Sequence, residues 1–317
     1  DLTHDRLGPL LRNDPHGHDS AQPGESRFRS GAGRACIPQS VGNDVLDLEH
    51  PRCGDRPPGD RLLARILAPG EEGWLEAGGP PELRAIRLWT LWAAKEAAFK
   101  VLSKLGRGRH VFRPAQISCD LQVLPSNGEP WAPGERPNPI KSFGPLRGAG
   151  LARPPLRIVG SALGDHADEE VRIEGTSGGS FVHVVGWCEE PAGSGRGRLE
   201  VGLEQIATND SAQKLEAMRP HFTAAEWAGV NSVASARVRL LARARLEAEL
   251  RRDLPPVGPS GPTPWRVEIV TRRVGPRGSL PRVQLGGRER PDVSLSLSHH
   301  GRYVAWAILF TMTDETA

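Results

Sequence analysis

Cysteine is scarce. The four in 317 residues (Cys36, Cys53, Cys119 and Cys188) form no Cys-x-x-Cys pair and no metal-ligand spacing. So few thiols in a chain this long exclude a disulfide framework, and a reducing, cytoplasmic setting is the default expectation. No apolar run approaches the ~20 residues that span a bilayer, and no signal-peptide core opens the chain. No membrane partner is expected. Net charge is only +3 and aromatic content only 5%. That weighs against a nucleic-acid binder, although Arg237, Arg239, Arg243, Arg245, Arg251 and Arg252 crowd one segment. The chain begins with Asp1 instead of Met and reads as a fragment or an upstream read-through.

What the chain does contain falls into two runs of elements. Residues 1–35 are rich in Gly, His, Asp, Arg and Ser without periodicity, and disorder is expected there. Residues 125–157 are dense in Gly and Pro and read as a flexible insert. The first run, 36–190, offers a strand at 40–48, a short helix at 61–68, a break at Pro69-Gly70-Glu71-Glu72, a long helix, and strands at 112–123 and 180–187. The second, 199–312, offers a strand at 199–206, a long helix at 234–250, and strands at 265–270, 293–297 and 303–310. Its Phe222-Thr-Ala-Ala-Glu226-Trp227 resembles Leu67-Ala-Pro-Gly-Glu71 of the first run. A repeated order of elements predicts an α+β fold of two similar halves, packed face to face with a site between them.

Three groups could carry chemistry. The long helix Leu88–Leu105, LWTLWAAKEAAFKVLSKL, is made of strong helix formers and stops at Gly106. Trp92, Glu96 and Lys100 recur at i, i+4 and i+8 on one face, with Lys95 and Phe99 beside it. Taken alone, Glu96 and Lys100 read first as a solvated ion pair and only second as a site. The second group is Asp44 with Asp47, acids in a strand, where Asp is normally depleted. The third is the turn Ser298-His299-His300-Gly301 between two C-terminal strands. Two carboxylates with lysines nearby suit Mg²⁺ bound together with phosphate oxygens, and a histidine at a strand end suits phosphate binding or proton transfer. The second long helix has Arg and Leu at comparable places and no Lys-Glu pair, so the halves do different work.

Gly42-Asn43-Asp44-Val45-Leu46-Asp47-Leu48, then Trp92-Ala-Ala-Lys95-Glu96-Ala-Ala-Phe99-Lys100, with 51 positions from Asp44 to Lys95, resembles the paired signature of 4'-phosphopantetheinyl transferases. Ser294-Leu-Ser-Leu-Ser298-His299-His300-Gly301-Arg302-Tyr303 is similar to the strand and turn that complete it. The Asp strand first and the Ser-His turn last is the order of the short, carrier-protein-synthase type, whereas the length is that of the two-half type. The resemblance implies a monomer with permuted halves in a pseudo-twofold arrangement, and an active site at their interface. It further implies Mg²⁺-dependent transfer of 4'-phosphopantetheine from coenzyme A to a serine of an acyl or peptidyl carrier protein (holo-[acyl-carrier-protein] synthase activity). A catalytically silent module binding coenzyme A or carrier protein is the alternative. By resemblance, Asp44 and Glu96 hold the metal, Asp47 is a further ligand or a structural residue, and Glu96 accepts the serine proton, directly or through a metal-bound water. Lys100 and Lys95 stabilise charge on the phosphates. Ser298 and His299 hold the coenzyme A phosphates, and Arg288 and Arg290, with Arg282, meet its nucleotide 3'-phosphate. Against the two-half pattern, Leu46 stands where a second acid is usual, and regular strand geometry turns Asp47 away from Asp44.

Overall fold

Strand β1 (Ser40–Asp47) is buried along its whole length. The computed structural model describes residues 40–54, 59–77, 81–106, 111–125, 156–164, 170–188, 197–207, 211–253, 266–274 and 278–311. The N-terminal segment 1–35, and the 125–157 insert except for its ends, lie outside the described residues. After β1 come α1 (Pro51–Gly54), α2 (Asp60–Ile66), α3 (Glu72–Leu75) and the long α4 (Pro81–Lys104). Then follow β2 (Ile117–Pro125), β3 (Leu156–Gly164), β4 (Val171–Ser177) and β5 (Phe181–Cys188). These strands form one antiparallel sheet in the order β1-β5-β4-β3-β2.

Helix α4 packs on this sheet through small residues. Ala93, Ala94, Ala97 and Ala98 are fully buried, against Leu46, Val182 and Val184. Trp92 and Phe99 flank the alanine stripe and both meet the Phe112 ring, at 5.4 and 5.2 Å. The approach is so close at Gly42 that a Cβ there would lie 2.0 Å from the Ala97 carbonyl oxygen. Glycine at this position is a packing requirement, which brings Asp44, two residues on, beside the helix face that carries Glu96 and Lys100.

The later part of the chain contains β6 (Gly197–Gln205), α5 (Ala212–Met218), α6 (Ala224–Trp227), α7 (Val233–Asp253), β7 (Val267–Val274), β8 (Gly278–Leu285), β9 (Arg288–Glu289), β10 (Val293–His300) and β11 (Tyr303–Thr311). They form the sheets β10-β11-β6 and β7-β8-β9. Helix α7 buries Ala242, Leu246 and Leu250 against Val283, Leu295 and Ile308. The face of β1 and β5 turned away from α4 packs on β6 and β11: Val41 and Val185 meet Leu199 and Ala307, and Val45 and Phe181 meet Tyr303 and Ala305. The fold is α+β, as the sequence predicts. Four strands were not foreseen: β3, β4, β8 and the two-residue β9. β3 carries Gly160 and Gly164, β4 carries Gly175 and an exposed Arg172, and β8 carries Pro281, all of which weaken a strand signal. The expected start of a strand at 112 also fails, because Pro114 opens a 3-10 turn there.

One buried arrangement occurs twice. Glu71 accepts the Ala68 N–H (2.8 Å) on Oε2 and the Cys119 N–H (2.8 Å) on Oε1, and α4 supplies Lys95 Nζ to Oε2 at 2.5 Å. Glu226 accepts the Thr223 N–H (3.1 Å) on Oε2 and the Ile269 N–H (3.0 Å) on Oε1, and α7 supplies Arg243 to Oε2 at 3.0 Å. In each case the acid caps the amide three residues before it, takes a strand amide, and is neutralised from the long helix. The likeness between the stretches ending in Glu71 and Glu226 is therefore a likeness of bonds. Lys95 and Glu71 are 0% and 4% exposed. Removing one partner strands the other, so Lys95→Met is expected to cost about 3–5 kcal/mol in urea unfolding. A loss below about 1 kcal/mol would show that the pair is not needed to hold the helix.

Candidate functional site

Pairing with β5 uses alternate N–H groups of β1 and leaves those of Val41, Asn43, Val45 and Asp47 turned the other way. Strand β10 runs alongside there and answers them with side chains. Ser294 Oγ accepts from Val41 N–H (3.2 Å), Ser296 Oγ from Asn43 (2.9 Å), Ser298 Oγ from Val45 (3.2 Å), and His300 Nδ1 from Asp47 (3.0 Å). The sequence offset is 253 at every rung, so the two strands are parallel and in step. Helix α4 serves the matching carbonyls. Lys100 Nζ donates to Asn43 O at 2.7 Å, and Lys104 Nζ to Val41 O at 2.5 Å and to Leu295 O at 2.6 Å.

Asp44 lies in the middle of this seam, 2% exposed. Its Oδ1 accepts from Ser298 Oγ (2.8 Å) and Lys100 Nζ (3.2 Å). Its Oδ2 is buried with no hydrogen-bond partner. Lys100 also reaches Glu96 Oε1, at 3.4 Å, so one ammonium bridges two carboxylates from different elements. Burial, and then the like charge of Glu96, push the Asp44 carboxyl up to about 7, against the smaller opposing pull of Lys100 and Ser298. Burial alone would lower Lys100, but Asp44 and Glu96 together carry it above the ordinary lysine value. The arrangement is short of positive charge and has a buried anionic oxygen to spare. That oxygen and Glu96 are hard donors of the kind that fit Mg²⁺. Among the described residues no three His, Cys, Asp or Glu side chains gather as a metal cage. A cation held by Asp44 and Glu96 would therefore take most of its ligands from water and phosphate.

Other expected site residues are placed differently. Asp47 accepts four bonds, from Arg302 N, Nε and NH2 and from Glu49 N, at 2.9–3.1 Å. Burial would raise its pKa, but these bonds hold it below the usual carboxylate range. It clamps the turn after β10, where position 301 (φ 54°) admits only glycine, because a Cβ would strike the Asp47 carboxylate at 2.4 Å. The Lys95 ammonium, expected at the phosphates, is instead bound to Glu71, Ile66 O and Pro114 O. Ser298 gives its single hydroxyl proton to Asp44, so it has none left for a phosphate. His299 falls between the rungs, on the opposite face of β10 from Ser298 and His300. Arg290 forks onto Asp292 at 2.8 and 2.6 Å, and Arg288 is exposed in the β8–β9 hairpin.

Beside the site is a cleft in whose lining only Arg282 was expected from the sequence to meet a phosphate. Ser40, Lys104, Leu280, Pro281, Arg282 and Ser294 line it. Ser40 Oγ and Arg282 Nε are buried without partners, and Ser294 Oγ, used as an acceptor by Val41, keeps its proton. Burial, then Lys100 and Arg282, push Lys104 down to about 7. Arg282 NH1 lies 3.6 Å from Glu289 Oε1. Donors without acceptors make this a place for an anion. Two sequence signals pointed to it: Lys104 continues the i, i+4 series of Glu96 and Lys100, and Ser-x-Ser-x-Ser-x-His alternates at strand period.

A family model described as the 4'-phosphopantetheinyl transferase superfamily matches residues 40–132. The match spans β1 to β2 and contains Asp44, Lys95, Glu96 and Lys100, and it supports the resemblance carried by the motifs. No curated protein matches the chain.

The Asp44 shift has a sign that melting can read. The folded chain keeps this proton up to about pH 7, while an ordinary Asp gives it up near 3.8. The group therefore favours folding below about pH 4, and that contribution is lost as pH rises through 7. In chelator, Asp44→Asn is expected to melt several degrees above the parent at pH 8, with the gap closing by pH 4. Equal melting temperatures at pH 8 would show that burial does not strain this carboxylate.

Proposed function

We propose that the chain transfers 4'-phosphopantetheine from coenzyme A to a serine hydroxyl of an apo acyl or peptidyl carrier protein. The observation that carries this reading is the Asp44–Lys100–Glu96 group, buried in a seam beside an anion-receiving cleft. The family match over 40–132 supports transfer of this general kind. The active site then lies between two pseudo-twofold halves. The first gives the acids and lysines, and the second gives β10 and the cleft wall at Leu280–Arg282.

Asp44, through Oδ2, and Glu96 would hold Mg²⁺, which when bound supplies positive charge to the pyrophosphate oxygens. Lys100 adds a cation at the same place, and Lys104, Arg282, Ser40 and Ser294 receive a further phosphate of coenzyme A in the cleft. In the step itself the serine oxygen bonds to the phosphopantetheine phosphorus. The bond from that phosphorus to the leaving oxygen of adenosine 3',5'-bisphosphate breaks, and Glu96 takes the serine proton. Such a reaction is driven by positioning and charge stabilisation. Lys95 and Asp47 support the scaffold and touch no reacting atom.

The test is intact-mass analysis of several apo carrier proteins incubated with the chain, coenzyme A and Mg²⁺. A gain of one phosphopantetheine is expected. Asp44→Ala and Glu96→Ala should abolish it, and Lys100→Met should lower kcat about 10²–10³-fold. Coenzyme A binding without transfer to any carrier would favour the silent module instead.

A further inference from the structure

Ser298 is chemically unlike the other rungs of the seam. Ser294 and Ser296 accept a β1 amide. Ser298 does so too, and also donates to a carboxylate, Asp44 Oδ1 at 2.8 Å. A carboxylate can turn about its Cβ–Cγ bond and exchange its two oxygens. Here the Val45 N–H fixes Ser298 Oγ, and Ser298 in turn occupies Oδ1 together with Lys100. Oδ2 alone is left, buried and without a partner. Ser298 is itself only 6% exposed, so water does not compete freely for the bond.

We propose that Ser298 is a positioning residue that holds Asp44 so that a single oxygen, Oδ2, faces a divalent cation. This rests on reading Asp44 and Glu96 as a cation site, and it departs from the expectation that Ser298 holds a phosphate. Restricting a carboxylate to one oxygen suits a small octahedral ion better than a large one that accepts bidentate ligation. Ser298 thus contributes to affinity and to the preference for Mg²⁺ over Ca²⁺ without touching either ion.

The test is direct cation binding to the whole chain without coenzyme A, read by Mn²⁺ electron paramagnetic resonance with Mg²⁺ and Ca²⁺ as competitors. Ser298→Ala is expected to weaken Mn²⁺ and Mg²⁺ about tenfold or more, as loss of an outer-sphere hydrogen bond typically does, and to weaken Ca²⁺ less. Ser298→Thr, which keeps the hydroxyl, should restore binding. Ser296→Ala removes a seam bond of the same kind, so it should lower the melting temperature while leaving affinity unchanged. If Ser298→Ala does not fold, Ser298→Cys, with its weaker donor, should give an intermediate loss. Parental affinity in Ser298→Ala or Ser298→Cys, or an equal loss in Ser296→Ala, would overturn the proposal. No Mn²⁺ binding by the parent chain would remove the cation site and this proposal with it. Binding with the expected variant pattern, but no carrier modification, would remove only the transferase reading.

Discussion

A strand with an open edge must find partners for its amides, and β1 finds them in side chains. On one side it has an ordinary antiparallel ladder with β5. On the other, Ser294, Ser296, Ser298 and His300 stand in for a backbone, and Lys100 and Lys104 answer the carbonyls. Each such bond is modest in net terms, about 0.5–1.5 kcal/mol, while a buried amide left without one is costly. The seam is thus kept less by what it gains than by what would be lost on opening. It also explains how so many polar groups come to lie in a buried strand. They are there because two sheet edges are joined by chemistry that can also serve a ligand.

The α+β class, β1 and the long helices were legible because each rests on local pattern, whereas the pairing of Asp44 with Glu96 and Lys100 came from the resemblance of the two motifs, taken together, to a family signature. Asp44 is an acid inside an apolar strand, and Glu96 and Lys100 share a helix face. Lys95 was not legible. Helix spacing places it beside Glu96, but whether it turns to the cleft or to Glu71 depends on a loop 24 residues upstream. Asp47 was half legible: strand period turned it away from Asp44, and only the fold shows Arg302 waiting on that side. The role of the serines was hidden for the same reason. Their alternation was visible, but their acceptor work depends on a strand 253 positions away.

The doubled acid arrangement at Glu71 and Glu226 shows where the two runs of elements agree, and the long helices show where they part. Each helix sends one cation to its own buried acid, Lys95 in α4 and Arg243 in α7. One residue later α4 has Glu96 and α7 has Ala244. The shared part is the support, and the Glu96–Lys100 pair is carried by α4 alone of the two long helices. Evaluating a helix such as α4 therefore requires separating residues that hold it from residues it presents, even when they are adjacent in sequence.

Three serines at strand period are interchangeable as acceptors. Sliding β10 by two residues along β1 would still give a serine to most amides, yet it would put a different serine beside Asp44. The seam on its own is a ruler without a zero mark. The zero is set at its far end, where Asp47 grips Arg302 and leaves no space for a side chain at Gly301. An acid three residues beyond Asp44 thereby decides which hydroxyl Asp44 meets, and the alignment of the seam is inherited from a turn at its end.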